Sequence, residues 1–249
     1  EGQTLARDAQ KLGAIVRHAT TRAAQREGGT DHNGIPQLVR HPLALVERAG
    51  DARARDLKAE LLRTSRTMLN EGGPSALSMR EVARRTGCTH QAPYHHFENR
   101  EAILAALITE GFRELTERLR TAHDQAEGKG PRATFEAAGK AYIGFALDNP
   151  GVFRIMFRPD MCNPENSPSL LEASGQAHAE LERLTRTVYG QRSTTEHEVV
   201  IWSHVHGLAG LLLDSDAALA FPTTQERSDF AQKINQLAAS LLTGEPGTS

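Results

Sequence analysis

Across most of this 249-residue chain the large apolar residues recur three and four positions apart, and no alternating β-branched run interrupts them. That spacing follows the helix repeat rather than the strand repeat of two, so the fold is confined to packed helices. Hydrophobic residues make up 39% and charged residues 24%, enough for a packed core and against wholesale disorder. No apolar run approaches the ~18 residues that a membrane-crossing helix needs, so no membrane partner is expected. The first 30 residues carry charges throughout and lack an apolar signal core, so a secretory signal is not expected either. Cys88 and Cys162 are the only cysteines, too few for a disulfide scaffold, which fits a reducing cytoplasm.

Net charge is uneven along the chain. Residues 1–50 carry +2, residues 51–100 carry +3 and residues 101–249 carry −7. A polyanionic partner would meet the front of the protein.

Helix starts and stops divide the chain further. Residues 1–50 read as an extension, helical in part, broken at Gly28-Gly29 and interrupted by Pro36 and Pro42. From Ala54, Leu57, Leu61, Leu62, Met68 and Leu69 form one face of a helix that stops at Gly72-Gly73-Pro74. Ser78 followed by Glu81 predicts a capping box, and Gly87 ends that short helix after about two turns. Thr89 is a second N-cap, with a helix expected from His90 to Phe97. A long helix opens at Arg100. Beyond Gly130 the pattern predicts helices over 131–149, 152–157, 170–189, 196–218 and 225–242, with a tail from Gly244.

Two short helices around a glycine turn, after a longer helix, are the helix-turn-helix pattern, whose second helix fits a major groove about 12 Å wide. The stretch from Ser78 through Phe97, continued by Asn99-Arg100-Glu101-Ala102-Ile103-Leu104, resembles the TetR family of bacterial transcriptional regulators. The family pattern has a capped second helix, Gly-Val-Ser at the turn, Tyr-x-x-Phe in the recognition helix and Lys-Glu-x-Leu at the next helix start. Here Cys88 stands for the Val as a small buried thiol. Arg100 stands for the Lys and keeps the charge. Pro93 removes one amide near the helix start, with limited damage expected there. The Ala-Pro-Tyr-x-His-Phe form resembles a subset of the family.

The resemblance implies an N-terminal three-helix DNA-binding domain over 51–100 and a C-terminal helical bundle over 101–243 that binds an effector and dimerises. Thr89, His90 and Gln91 would open the recognition helix, with Gln91 suited to adenine and Thr89 to a phosphate or a thymine methyl. Ser78, Arg80, Tyr94 and Arg100 match positions that contact the DNA backbone, and His95 would face groove or backbone. Met79, Val82, Ala83, Ala92 and Phe97 would form the small core.

Toward the C-terminus, Ile201-Trp202-Ser203-His204-Val205-His206-Gly207 resembles a Trp-x-x-x-His-Gly signature of one group of TetR-type C-terminal domains. Gly207 would admit a neighbouring helix closely. Tyr142, Phe145, Phe153, Met156, Phe157 and Trp202 would line an apolar pocket, with Tyr142, His178 and His206 orienting the ligand. No Arg or Lys cluster accompanies them, which disfavours an anionic ligand. His204 and His206, two apart on a helix, point about 200° away from each other and cannot chelate one ion. No metal, cofactor or catalytic group is expected.

These expectations add up to a homodimeric regulator, a repressor released from operator DNA by a largely apolar small molecule. An activator fits equally well. A helical binding protein or enzyme with a degenerate DNA-binding module is the alternative; steep salt dependence of specific DNA binding separates the two.

Overall fold

The computed structural model describes residues 42–158, 160–162, 167–215 and 217–244, with side chains described from Asp56. Expectations for residues 1–41 and for the tail beyond Gly244 lie outside the described residues.

Every regular element among the described residues is helical. Helix α1 spans Pro42–Gly72, α2 Met79–Thr86, α3 Arg100–Ala126 and α4 Pro131–Asp148. Then come α5 Pro150–Met156, α6 Pro168–Tyr189, α7 Thr195–Asp214, the short α8 Ala217–Ala220 and α9 Thr224–Thr243. The predicted helices from Arg100 onward begin and end within a few residues of these bounds. Helix α1 starts well before the expected Ala54. Pro42 does not interrupt it but opens it, because proline at a first helical position loses only an amide that has no partner there.

Two corrections concern the predicted helix-turn-helix. Ser78 does cap α2, its hydroxyl accepting from the Glu81 amide at 3.2 Å, but the reciprocal half of the box is missing. The Glu81 carboxylate instead accepts from Arg84 and Arg85. Those two guanidiniums pull its pKa down to about 2. The expected helix from His90 to Phe97 is a turn followed by a 3-10 turn, Ala92–His95. Pro93 has no amide to give the Thr89 carbonyl, so Ala92 takes that carbonyl at 3.0 Å and Tyr94 takes Gln91's at 3.1 Å. Gly87, at φ 73°, makes the left-handed stop of α2.

The packing is layered on α3. One face of α3, from Ile103 through Leu107, Phe112, Leu115 and Leu119 to Ala126, is buried against α4 and α6. Each of the larger side chains among them contributes about 1.5–3 kcal/mol on burial. The front half packs on it through Leu61, Met68, Leu69, Val82 and Phe97, in the same cluster as Phe135, Ile155, Leu170 and Ile201. The front module and the bundle therefore share one core.

Helix α9 lies on α4 at one close approach. A Cβ on Gly139 would fall 2.2 Å from the Asn235 side chain, whose Nδ2 donates to the Glu136 carbonyl at 2.9 Å. That contact demands glycine, as do those of Gly111 and Gly151 elsewhere in the chain. Gly207, expected to play this part, has nothing within 4 Å of such a Cβ. The buried face of α9 is Ala231, Asn235 and Ala239, so the larger Leu237 and Leu241 are left exposed. Helix α7, expected to be buried all round, also keeps an exposed stripe of Val200, Ser203, Gly207 and Leu211.

Candidate nucleic-acid interface and ligand cavity

The segment 89–95 is built to be held from below. Pro93 and Phe97 are buried, and the Phe97 and Pro93 backbone groups close the turn at 2.9 Å. The Lys58 ammonium lies 5.6 Å from the Phe97 ring centre. Cys88 packs at the edge of the core with its thiol 3.7 Å from the Ala83 carbonyl, as a small apolar filler would. Anchored this way, the segment turns Thr89, His90, Gln91, Tyr94 and His95 outward, together with Ser78 and Arg80 of the preceding helix start. Tyr94 is 52% exposed, unusual for an aromatic residue in a small core. Gln91 and His90 face each other at 3.3 Å. Ala92, expected in the core, is half-buried.

Arg100 sits differently. Its guanidinium donates to the Leu77 carbonyl at 2.9 Å and to the Pro74 carbonyl at 2.6 Å, tying the start of α3 to the loop before α2. Those donors position the module rather than point to solvent.

The second site is a cavity of about 350 Å³ inside the bundle, walled by α3, α4, α6 and α7. Of the predicted lining residues, Tyr142, Met156, Phe157, His178 and Trp202 are on the wall. Phe145, Phe153 and His206 are not. Phe145 is fully buried, with the Arg118 guanidinium 5.7 Å from its ring centre. Phe153 and His206 stand behind Phe157, their ring centres 5.6 and 4.7 Å from it. Sequence reading missed the α3 wall and, apart from His178, the α6 wall, notably Phe112, Leu115, Leu170 and Leu181, and the polar His123 and Glu180. Their apolar period was visible; which helix they would face was not. Arg158 also reaches the wall, but Asp160 takes its guanidinium at 2.7 Å.

Polar groups on this side are joined in a relay. Trp202 Nε1 donates to the Tyr142 oxygen at 3.3 Å, and the Tyr142 hydroxyl lies 2.9 Å from His206 Nδ1. Burial pushes the Tyr142 phenol well above its ordinary pKa, so it stays protonated. His204 turns the other way, stacked on Phe135 and 3.3 Å from Asn235. Among the described residues no group of three or more His, Cys, Asp or Glu is arranged to hold a metal ion. No described helix is long and apolar enough to cross a membrane.

Burial lowers the pKa of His123, His204 and His206. The unfolded chain then binds protons near pH 6.5 that the folded chain refuses until lower pH. Stability is therefore lost as pH falls below about 6.5, and Tm should drop between about pH 7.5 and 5.5. A Tm that holds or rises over that interval would contradict the burial of these rings as neutral imidazoles.

Helix α5 joins the cavity wall, through Met156, to α1. Its Gly151 amide donates to Asn70 Oδ1 of α1 at 2.9 Å, while Val152 and Met156 press on Gly111 of α3. Beside it, Arg66 of α1 donates to Asn149 Oδ1 at 2.7 Å and pairs with Glu110 and Glu114 of α3.

Two family models match the chain. The family model described as bacterial regulatory proteins, tetR family, matches residues 61–107. The model described as tetracyclin repressor-like, C-terminal domain, matches residues 135–233. The chain belongs to the tetR family. Among curated relatives, an HTH-type transcriptional regulator of Mycobacterium tuberculosis is 25% identical over 112 residues. That match covers 45% of this chain and 47% of the relative, about half the length of each. A solved structure from Rhodococcus sp. RHA1, described as a protein with unknown function, is 27% identical with a TM-score of 0.60. It covers 77% of this chain and 96% of its own. A regulatory protein in the tetR family from Rhodococcus RHA1 shares the fold at 16% identity and a TM-score of 0.58, over 75% of this chain and 96% of its own.

Proposed function

We propose that this tetR-family chain is a one-component transcriptional repressor, working as a homodimer on operator DNA and released by a largely apolar small molecule. The observation that carries the reading is the 89–95 segment, a polar and aromatic surface set on a buried proline and phenylalanine. Exposing Tyr94 has a cost in water that contact with a sugar-phosphate backbone would remove. Gln91 beside it is suited to a base edge, while Arg80 and Ser78 stand at the flank for phosphates. Arg100 acts by holding the module together.

The cavity supports the effector half of the reading. Its walls are mostly aliphatic and aromatic, with few polar groups. Helix α5 offers the link: Met156 is on the cavity wall and Gly151 is bonded to α1. An effector that prefers an arrangement with α5 shifted would bias α1 and the turn it carries. The dimer reading rests on the exposed apolar residues of α7 and α9, which a second copy would cover.

The test is DNA selection followed by point variants. Genomic fragments bound by the purified protein define the operator, and the affinity is then read at several salt concentrations. Tyr94→Phe should weaken binding to all sequences, and Gln91→Ala should relax sequence choice, each by about 1–3 kcal/mol. Unchanged operator binding by a folded double variant would sink the assignment of this surface.

A further inference from the structure

His123 is the anomaly of the cavity. It is 3% exposed, and its ring borders both the apolar cavity and a second, more open cavity beneath the loop between α3 and α4. Its Nδ1 lies 2.9 Å from Glu180 Oε2. The carboxylate can only accept, so Nδ1 carries the hydrogen. Nε2 is buried with no hydrogen-bond partner among the described residues. A buried polar nitrogen left in that state is costly, and native proteins seldom leave one without a use.

We propose that His123 Nε2 is the polar anchor of the effector site, and that the effector is an amphipathic molecule with one neutral hydroxyl donor, a phenol or an alcohol, on an apolar body. The inference rests on the reading of the cavity as the effector site.

The surroundings decide the class. Burial lowers the pKa of the imidazole and Glu180 only partly opposes this, so the ring is neutral near pH 7. With Nδ1–H given to Glu180, neutral Nε2 offers a lone pair, and the ligand must bring the hydrogen. The charged groups around the ring are already engaged. Glu180 pairs with Arg120 and Arg183, and Arg183 also donates to Asp124 at 2.9 Å. Glu127 faces the same open cavity. No free cation is left among these groups to receive a carboxylate. Glu180, with its guanidiniums, holds the ring orientation as an outer partner holds a ligating histidine.

Trp202 is the sole tryptophan and stands on the cavity wall, so its fluorescence reports occupancy directly. The probes are 4-pentylphenol, its methyl ether 4-pentylanisole, and 4-pentylbenzoate, titrated into the full chain. The phenol is expected to bind about tenfold or more tightly than the ether, which has the same body and no donor. That preference should vanish in His123→Phe and weaken in wild type on acidification, as the ring takes a proton. The wild-type pair decides the matter even if the variant does not fold. Equal binding of phenol and ether overturns the anchor while leaving the cavity as an effector site. Tightest binding by the benzoate, fading as pH rises, overturns it in favour of a cationic His123. If none of the three perturbs Trp202, both the anchor and the cavity reading fail.

Discussion

Leu237→Asp, Leu241→Asp protein is expected to sediment as a single chain at micromolar concentration and to lose operator affinity by roughly 10²–10⁴-fold, the avidity a two-site binder forfeits when its halves part. Leu237 is 58% and Leu241 76% exposed, on the side of α9 turned away from α4. Each leucine covered by a second copy contributes about 1.5–3 kcal/mol, and an unpaired carboxylate in its place adds a desolvation cost. Because both positions face solvent in one protomer, the substitution leaves the protomer fold alone. Ile234 would be a poor choice for the same purpose, since it packs on the small cluster of Ile143, Leu208, Leu212 and Ala231. The α7 stripe with Val200, Gly207 and Leu211 should be covered along with it. A double variant that remains dimeric and binds operator normally would move the interface elsewhere.

Gly151→Ala should give a large loss of stability for a one-carbon change. Its new Cβ would lie 2.6 Å from the Leu69 carbonyl carbon and 2.7 Å from the Asn70 nitrogen. Those are backbone atoms of a long helix and cannot swing aside as a side chain would. Either α5 backs away from α1 and the amide bond to Asn70 breaks, or α1 bends. Overpacking and a lost buried bond together come to about 3 kcal/mol. For a chain of this size that lowers Tm by roughly 6–12 °C. If enough folded protein survives, ligand should still bind its cavity but release operator less completely, because α5 spans the two. An unchanged Tm would show that the α1–α5 junction yields without strain, and the coupling path through it would fall.

Helix ends were legible in the residues alone, because their code is local. Ser78 opens α2 through the Glu81 amide, Asn99 caps α3 through the Ala102 amide and Thr223 with Glu226 caps α9, each from a side chain three residues from the bond it makes, while Gly87 closes α2 with its left-handed backbone. The aromatic and polar surface at 89–95 was also legible, since exposure there follows from the motif. Its backbone was not. One missing amide at Pro93 outweighed the helical tendency of its neighbours, and a weighing that close is invisible in a pattern of residue types. The cavity was half legible for another reason. Tyr142, Phe157 and Trp202 announce an apolar wall, but whether a ring faces the void or stands behind another ring depends on how four helices are rotated. Phe153 and His206 lost that draw to Phe157. The Gly139–Asn235 approach needs residues 96 positions apart to be known neighbours, and no local spacing carries that.

The proline in the reading turn has a thermodynamic meaning of its own. With φ fixed by its ring and the segment closed by short-range bonds before any DNA arrives, little backbone freedom remains to be lost on docking. Recognition by such a head, under the proposed function, would be preorganised. Its association should run at the pace of encounter and electrostatic steering rather than wait on folding, and its heat-capacity change should reflect the contact surface alone.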